Sequence, residues 1–369
     1  MKKKVLILGV ASVQMDAIVE LKKMGYETHA CAMAKDGPGA DIADKFAKIN
    51  ILDIDGIINY IIENEISLVY SVGSDLAMPV ACYISEQLKM PHFVSEETAR
   101  VCNNKNLMRV SLGKGFKGNV EFQVVTSEND KIELAYPFIL KPADSQGQRG
   151  VKLISSFDEY IDSYRIAKNY SRSGLVILEQ YISGPELSVN GYMINGEIAF
   201  LIASDRETWP EYTGLIHKHV VPTVNLPEEN ISEVKDIIQS ASTNLGILNG
   251  PVYAQMKIEQ GRPYIIEITP RLDGCHMWNL LSYYTGVNLL KLTFDHLLND
   301  NTQEVEKEYK EKKDGYVLEF ICQQPNTSAD YSDYQGEIKN SLYSFNYYTQ
   351  GENIRPVNGK FDKIGYFIY

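Results

Sequence analysis

The chain of 369 residues carries 36 Lys plus Arg against 48 Asp plus Glu, a formal net charge of −12, so non-specific nucleic-acid binding, which rests on counterion release, is excluded as its main business. At about 100 to 200 residues per domain the length argues for two or three packed units. With 44% hydrophobic and 23% charged residues, neither a disordered nor a fibrous chain fits. An anionic ligand would need local help from backbone amides, a few Lys or Arg, or a metal ion.

The cysteines Cys31, Cys82, Cys102, Cys275 and Cys322 are odd in number and scattered, with neither a paired metal spacing nor a disulfide framework, so a reducing cytoplasm is the expected location. Met1 to Lys4 followed by the apolar Val5 to Val10 imitates a signal peptide, but the run ends at Ala11 to Asp16, and it reads as a first strand. No stretch approaches the roughly 18 consecutive apolar residues of a membrane helix, and no membrane partner is expected.

In chain order, Val5 to Gly9 predicts a strand, Gln14 to Met24 a helix closed by Gly25, Tyr26 to Ala32 a strand, Asn50 to Asp53 a strand, Ile57 to Asn64 a helix, Leu68 to Val72 a strand and Ala77 to Leu88 a helix. This alternation implies a parallel, doubly wound, Rossmann-like sheet over residues 1–93. Gly9 to Gln14 stands where a dinucleotide fingerprint would, yet it lacks the second and third glycines that let a pyrophosphate approach the backbone. Gly73-Ser74-Asp75 reads as a helix cap in preference to an anion cradle.

A second unit opens with one helix from Ser95 to Leu112, carrying Lys105 near its middle. Strands then come in hairpins: Phe138 to Pro142 and Val151 to Ile154 around a loop, Leu175 to Ile182, Leu187 to Asn195 turning at Asn195-Gly196 into Glu197 to Ala203, and Val252 to Ile258 with Pro263 to Ile268 around Gln260-Gly261. These make a mainly antiparallel sheet, succeeded by one long or kinked helix from Met277 to Leu298. Residues 299–314 read as a solvated connector, and 315–369 as tyrosine-rich, strand-like sequence, with Gly315 to Cys322 and Ser341 to Tyr348 clearest.

No GxxxxGK[ST] loop is present. The most informative stretch, Pro137 to Val151, places Lys141 at the end of a buried strand before the Gly-rich segment Ser145-Gln146-Gly147-Gln148-Arg149-Gly150. Such a loop can donate amides to phosphates beside a lysine point charge; alone it would be an exposed hairpin loop. Three further pieces come in order: Glu179-Gln180-Tyr181-Ile182 closing an apolar strand, Glu186 seven residues after Glu179, and Gln255 with Glu267 on the two arms of the last hairpin. Period-two alternation sets Glu267, Thr269 and Arg271 on one face. Carboxylate, hydroxyl and guanidinium together suit a Mg²⁺–triphosphate complex, since hard cations take oxygen ligands.

This four-part combination resembles the ATP-grasp superfamily, in order from about residue 1 to 300, and is similar to its carboxylate–amine (amino-acid or peptide) ligases. The resemblance implies an α/β chain with three parts: a Rossmann-like domain (1–93), an α+β ATP-grasp domain (94–300, with lid subdomain and hinge 94–182 and metal and substrate subdomain 183–300), and a small C-terminal β-rich segment (301–369) packing on it. It implies ATP with Mg²⁺, or Mn²⁺, as cofactors. Lys105 and Lys141 would hold phosphates, and Ser145 to Gly150, with Gln146 and Gly147, would form the lid. Glu179, Gln180, Tyr181 and Ile182 would form the adenine hinge, and Glu186 would hold the ribose. Gln255, Glu267 and Thr269 would be the metal positions, and Arg271 would lie at the transferred phosphoryl. Two positions depart from the common pattern: Thr269 stands where many members carry Asn, and Gln255 replaces an acid, as in carbamoyl-phosphate-synthase-like members.

Other residues are more ambiguous. His217-Lys218-His219 would place both imidazoles on one strand face, as a metal pair without an identifiable third ligand or as substrate contacts. Asp273 and His276 would face the acceptor pocket or cap the next helix, while Cys275, Trp209 and Trp278 read as packing. The resemblance implies an ATP-dependent ligase that makes an amide through an acyl phosphate, releasing ADP and phosphate. Its partners are a small-molecule carboxylate and an amine, and a homodimer is among the assemblies it implies. The alternatives are a kinase, a purine-biosynthesis or carboxylase-like member, and a catalytically silent nucleotide-binding protein.

Overall fold

The computed structural model describes residues 3–145, 149–306, 311–312, 314–357 and 361–369. Val5, Leu6, Ile7 and Leu8 are all fully buried, as a parallel strand covered on both faces must be. They lie in β1 (Lys4–Leu8), which pairs in parallel with β2 (Glu27–Ala32) and with β4 (Leu68–Tyr70), while β3 (Lys45–Lys48) pairs with β2, giving the order β3-β2-β1-β4. The third strand is therefore not Asn50 to Asp53. Those residues form a turn, and the Asp53 carboxylate accepts the Gly56 N–H, capping the helix Ile54–Asn64.

Residues 95–112 form two helices, Glu96–Asn103 and Lys105–Leu112. Asn104 leaves helical geometry at φ −117° and its side chain accepts the Leu107 N–H. Lys105 thus opens a helix instead of sitting in the middle of one. The stretch Met277 to Leu298 divides likewise into Met277–Thr285 and Leu289–Asn299, because Gly286 takes the left-handed conformation and the Asn288 side chain caps the second of the two helices.

A second sheet is antiparallel, in the order β5-β8-β6-β7, from β5 (Phe122–Val125), β6 (Phe138–Pro142), β7 (Lys152–Ile154) and β8 (Val176–Gln180). The helix Phe157–Tyr170 covers it, burying Tyr160, Tyr164 and Ala167 against Phe138, Leu140 and Leu178.

The largest sheet is antiparallel throughout. It is built from β9 (Glu186–Ile194), β10 (Glu197–Trp209), β11 (Tyr212–Val221), β12 (Gly250–Glu259), β13 (Arg262–Thr269), β14 (Tyr316–Gln323), β15 (Tyr343–Asn346) and β16 (Asp362–Ile368), in the order β13-β12-β9-β10-β11-β14-β16-β15. Because β11 hydrogen-bonds to β14, the C-terminal strands extend this sheet rather than forming a layer packed on it. The helix Glu228–Leu245 lays Val234, Ile237, Ile238 and Ala241 on it. The core is continuous between the parallel sheet and the large one; the Tyr70 ring meets Phe294 edge-on at 5.7 Å. Among the described residues no helix is long and apolar enough to cross a membrane.

Gly250 starts β12 at φ +86°, where an added Cβ would lie 2.4 Å from the Phe93 ring. That ring packs on Tyr192 and His296. Gly250→Ala combines a backbone penalty with overpacking and is expected to destabilise by ~2–4 kcal/mol. Gly286→Ala, at φ +81° with open space around it, should cost only ~1–2 kcal/mol. Denaturant midpoints at unchanged m-value measure both, and equal losses would show that Phe93 yields freely.

Candidate active site

A cleft of about 440 Å³ is lined by side chains from β6, β8, β9, β10, β12 and β13, by Asp75 in the turn after β4 and by Lys105. Antiparallel pairing of β6 with β8 sets Ile139 opposite Glu179 and Lys141 opposite Ile177. Lys141 Nζ lies 2.7 Å from Glu179 Oε2, and both residues are buried. Lys105 reaches the cleft because its helix starts there: its N–H donates to the Ala143 carbonyl and its Nζ to the Ser145 carbonyl at 3.0 Å.

The wall has two chemical characters. Ile139, Val151, Ile182 and Ile266 are apolar, with Tyr181 beneath the Lys257 ammonium at 5.7 Å. Lys105 and Lys141 are cations, and Glu267 is a carboxylate that no described residue hydrogen-bonds. Gln255 sits directly across from Glu267 in the β12–β13 register, where Cβ atoms are about 4.5–5.5 Å apart. Its Nε2 donates to Glu186 Oε2 at 3.0 Å, which leaves Oε1 as a second oxygen donor on the strand facing Glu267. Glu186 also accepts from Arg206.

Electrostatics in the cleft are set by buried pairs. Burial alone would raise the Glu179 carboxyl, but Arg109 and Lys141 beside it hold it down at about 2. Burial pushes the Lys141 ammonium down to about 8 against the opposing pull of Glu179. Asp75 is likewise held below its ordinary value despite burial, by Arg271 and by the Thr269 hydroxyl.

Of the residues expected from sequence, Lys105, Lys141, Ser145, Glu179, Gln180, Tyr181, Ile182, Glu186, Gln255 and Glu267 line this one cleft. Gln146 and Gly147 lie outside the described residues. Gly150 packs against the Tyr170 ring and Pro142 at φ +72°. Thr269 is not on the cleft wall: its hydroxyl donates to Asp75 Oδ1 at 3.1 Å, which is already the partner of Arg271, whose Nη2 donates to Asp75 Oδ2 at 2.8 Å. The expected common face of Glu267, Thr269 and Arg271 therefore splits between the cleft and a junction with the parallel sheet.

The histidines also differ from expectation. A bulge between Glu207 and Thr208 leaves His217 without a register partner, and a bulge breaks alternation. His217 stacks on Trp209 at 3.8 Å and meets Glu319 at 3.1 Å, as Lys218 does at 2.9 Å. His219 turns inward, fully buried, with ligand atoms of Asp273 and Cys275 within 4.8 Å. A third donor thus exists beside His219, not beside a His pair; burial, then Arg206 and Lys363, lower its pKa well below the usual range, and those two cations disfavour a divalent ion there. Asp273 accepts from the Cys275 N–H at 3.1 Å and from Ser188 at 3.4 Å, whereas His276 faces Asp16 at 2.7 Å. The two do not share one pocket.

Arg206 and Arg109 were not singled out from sequence, and Asp75 was weighed only within Gly73-Ser74-Asp75, as a helix cap in preference to an anion cradle. Asp75 follows the carboxyl end of β4, where open α/β sheets place ligand-facing groups, and that position was the available signal. A larger open groove of about 700 Å³ near Tyr331 and Gln350 gathers no comparable set of cations and acids.

The family model described as "ATP-grasp domain" matches residues 134–278. The carbamoyl phosphate synthase large chain of Caldanaerobacter subterraneus subsp. tengcongensis is 24% identical over 193 residues, 51% of this chain and 17% of that protein, so the chain spans about a sixth of such a relative. Among solved structures, L-amino acid ligase from Bacillus licheniformis superposes with TM-score 0.83 at 19% identity, over 100% of this chain and 93% of that one. The biotin carboxylase domain dimer of the 2-oxoglutarate carboxylase of Hydrogenobacter thermophilus, described with MgADP, ADP and bicarbonate, gives 0.81 at 15% identity, over 100% and 86%.

Arg109→Leu removes a partner from a buried ion cluster and is expected to destabilise by ~3–5 kcal/mol in denaturant titrations. The wild-type stability that depends on Glu179 is fully present above its unfolded value of 4.5 and is lost as pH falls toward about 2, up to ~3 kcal/mol. Stability measured from pH 6 to 2 checks this, and Glu179→Gln should flatten the slope in that window.

Proposed function

We propose, from the premise that an ATP-grasp domain occupies residues 134–278 of this chain, that it is an ATP-dependent carboxylate–amine ligase which forms an amide through an acyl phosphate and releases ADP and phosphate. One observation carries the reading. Lys105, Lys141, Gln255 and Glu267, drawn from separate elements, converge with the apolar wall on a single cleft. A flat heterocycle beside Ile139, Ile182 and Tyr181, with its phosphates toward the lysines, accounts for both characters of that wall.

In this reading the backbone and side chains of Gln180, Tyr181 and Ile182 seat the adenine, Glu186 holds the ribose, and Lys105 and Lys141 hold the phosphates. Glu179 serves by fixing Lys141. Oxygen donors at Glu267 and Gln255 fit Mg²⁺, or Mn²⁺, which is hard and takes oxygen ligands. When bound, the ion would offset phosphate charge and polarise the transferred group. Thr269 is spent on Asp75 and supports Arg271 instead of completing the ligand set.

A carboxylate does not acylate an amine directly because oxide is a poor leaving group. Transfer of the γ-phosphoryl group to it gives an acyl phosphate, and amine attack then expels phosphate. Phosphoryl transfer asks mainly for positioning and charge stabilisation. Arg271, fixed by two hydrogen bonds to Asp75, would stabilise the transferred group from behind Asp75, and Lys141 is held against Glu179. The unpaired cysteines support a cytoplasmic setting, and a two-copy assembly would be read by light scattering.

Mg-ATP, pools of carboxylates and hydroxylamine as a trapping amine test the reaction. Carboxylate-dependent ADP release with a matching hydroxamate is expected; ADP release without hydroxamate would favour a kinase, and ATP binding without turnover a silent nucleotide-binding protein. Lys141→Ala should lower turnover on the order of a hundredfold or more, and near-normal turnover would discard its role. Glu267→Gln should shift the Mg²⁺ titration to higher concentration, and an unchanged curve would mean the metal ligands lie elsewhere.

A further inference from the structure

A second cleft, of about 550 Å³, lies between the first βα turn and the C-terminal strands, with Val10, Ala11 and Ser12 on one side and Tyr347, Arg355 and Lys363 on the other. Behind its wall stands His276, 1% exposed. Its Nδ1 is 2.7 Å from Asp16 Oδ2, and its Nε2 is 3.3 Å from Ser12 Oγ and 3.0 Å from the Tyr347 hydroxyl.

The geometry fixes the tautomer. A carboxylate only accepts, so Nδ1 carries a proton, and in the neutral imidazole Nε2 is the acceptor, facing two hydroxyls that line the cleft. Asp16 Oδ2 is held in turn by the Trp278 indole N–H at 2.9 Å and by Asn279 at 3.1 Å, and the imidazole lies against the Tyr366 ring at 4.4 Å. The residue itself sits at φ +57°, a left-handed conformation that is unfavourable for a non-glycine residue. A buried, strained, fully oriented imidazole whose free nitrogen reaches a cleft only through hydroxyls is more than a packing group requires.

This cleft also lies beside the first one. Strands β1 and β4 are neighbours, about 4.8 Å apart. The turn after β1 carries Ser12, which lines the second cleft, and the turn after β4 carries Asp75, which lines the first. Gln14 links the two turns, accepting from the Ala11 N–H and donating to the Val72 carbonyl. Gly73 approaches Gly274 so closely that a Cβ on it would lie 3.0 Å from that Cα. The segment from Arg271, bonded to Asp75, to His276, bonded to Ser12, runs along the border between the clefts.

We propose that the second cleft receives the amine, and that Ser12, with Tyr347 beside it, passes the amine's proton to His276, which Asp16 orients. This rests on the ligase reading above. One ammonium proton moves to Ser12 Oγ as the Ser12 proton moves to His276 Nε2, and the nitrogen lone pair so freed forms the bond to the acyl carbon. The acyl C–O bond breaks with its electron pair leaving on phosphate, which takes the nitrogen's second proton, and the imidazolium returns its proton to solvent. Ser12 touches the substrate; His276 and Asp16 act through it as positioning residues.

Two nucleophiles separate this role from a structural one. The α-amino group of a free amino acid is protonated at neutral pH and needs a proton acceptor before its lone pair can attack. Hydroxylamine is a much weaker base and attacks without one. Wild type, His276→Gln, Asp16→Asn and Ser12→Ala are compared with Mg-ATP and one accepted carboxylate, using either an equimolar amino-acid mixture or hydroxylamine as the amine. Amide formation with amino acids is expected to fall on the order of 10²-fold in each variant, at least tenfold more than hydroxamate formation. Equal losses with both nucleophiles, or unchanged amide formation in Ser12→Ala, would overturn the proposal. Ser12→Ala decides the matter if the buried variants fail to fold. Absence of hydroxamate with wild type would instead remove the ligase reading on which the proposal stands.

Discussion

The Arg109 guanidinium donates all five of its N–H groups inside the protein: two to the Glu179 carboxylate, one to Asn119 and one each to the carbonyls of Ile265 and Ile266. Glu179 belongs to the four-stranded antiparallel sheet and Ile265 and Ile266 to the large one, so a single side chain bonds the two walls of the cleft to each other. A fully buried guanidinium is tolerable only when every donor is satisfied. The relative placement of β8 and β13 is thereby held to hydrogen-bond tolerance. Lys141 is fixed by the same carboxylate, and the cleft-lining Gln180, Tyr181 and Ile182 come directly after Glu179 in the chain. The positions of Lys141 and of the Glu267 strand thus depend on one group.

The charges around the cleft differ in how far they are already neutralised. Lys141, Arg206 and Arg271 each face a carboxylate, from Glu179, Glu186 and Asp75. Lys105 and Lys257 have no carboxylate within ion-pair reach among the described residues, and they lie in the same cleft. In a chain of net charge −12 the paired cations offer an anion shape and hydrogen bonds more than net attraction, while Lys105 offers attraction. Lys105 opens a helix, where the dipole also favours an anion. Gln255 in place of an acid has a related consequence, since its amide supplies an oxygen and satisfies Glu186 without adding another negative charge beside Glu267.

Much of this arrangement was legible locally. The continuous apolar run of β1, the lysine closing β6, the Gln255 and Glu267 pair across the β12–β13 hairpin and the order of these pieces are written in adjacent residues, and ten expected cleft residues meet in one place. What was not legible depends on contacts between distant segments. Nothing near Arg109 signals that its partners are 70 and 156 residues away, and Asp75 sits in a stretch that equally suits a helix cap. Asn104 shows the other kind of failure, in which an interior polar residue of a long helical pattern broke the helix because its side chain competed for the Leu107 N–H. The bulge beside Glu207 reversed one histidine for a reason that strand periodicity does not contain.

Residues 315–369 carried the weakest sequence signal, yet they complete the molecule in a way that bears on chemistry. Because β14 continues the hydrogen-bond ladder from β11, the C-terminal strands are carried around to the first βα turn, where Tyr347 and Tyr366 close over His276. A separate C-terminal layer would leave that imidazole open to water on one side, and Asp16 would then orient a solvated ring. The sheet extension instead makes hydroxyls the contact between His276 and the second cleft. The cleft lined by Lys105 and Lys141 and the cleft lined by Ser12 and Tyr347 are thus each built from distant parts of the chain. Arg271, bonded to Asp75 at one cleft, and His276, bonded to Ser12 at the other, stand at the two ends of one short segment.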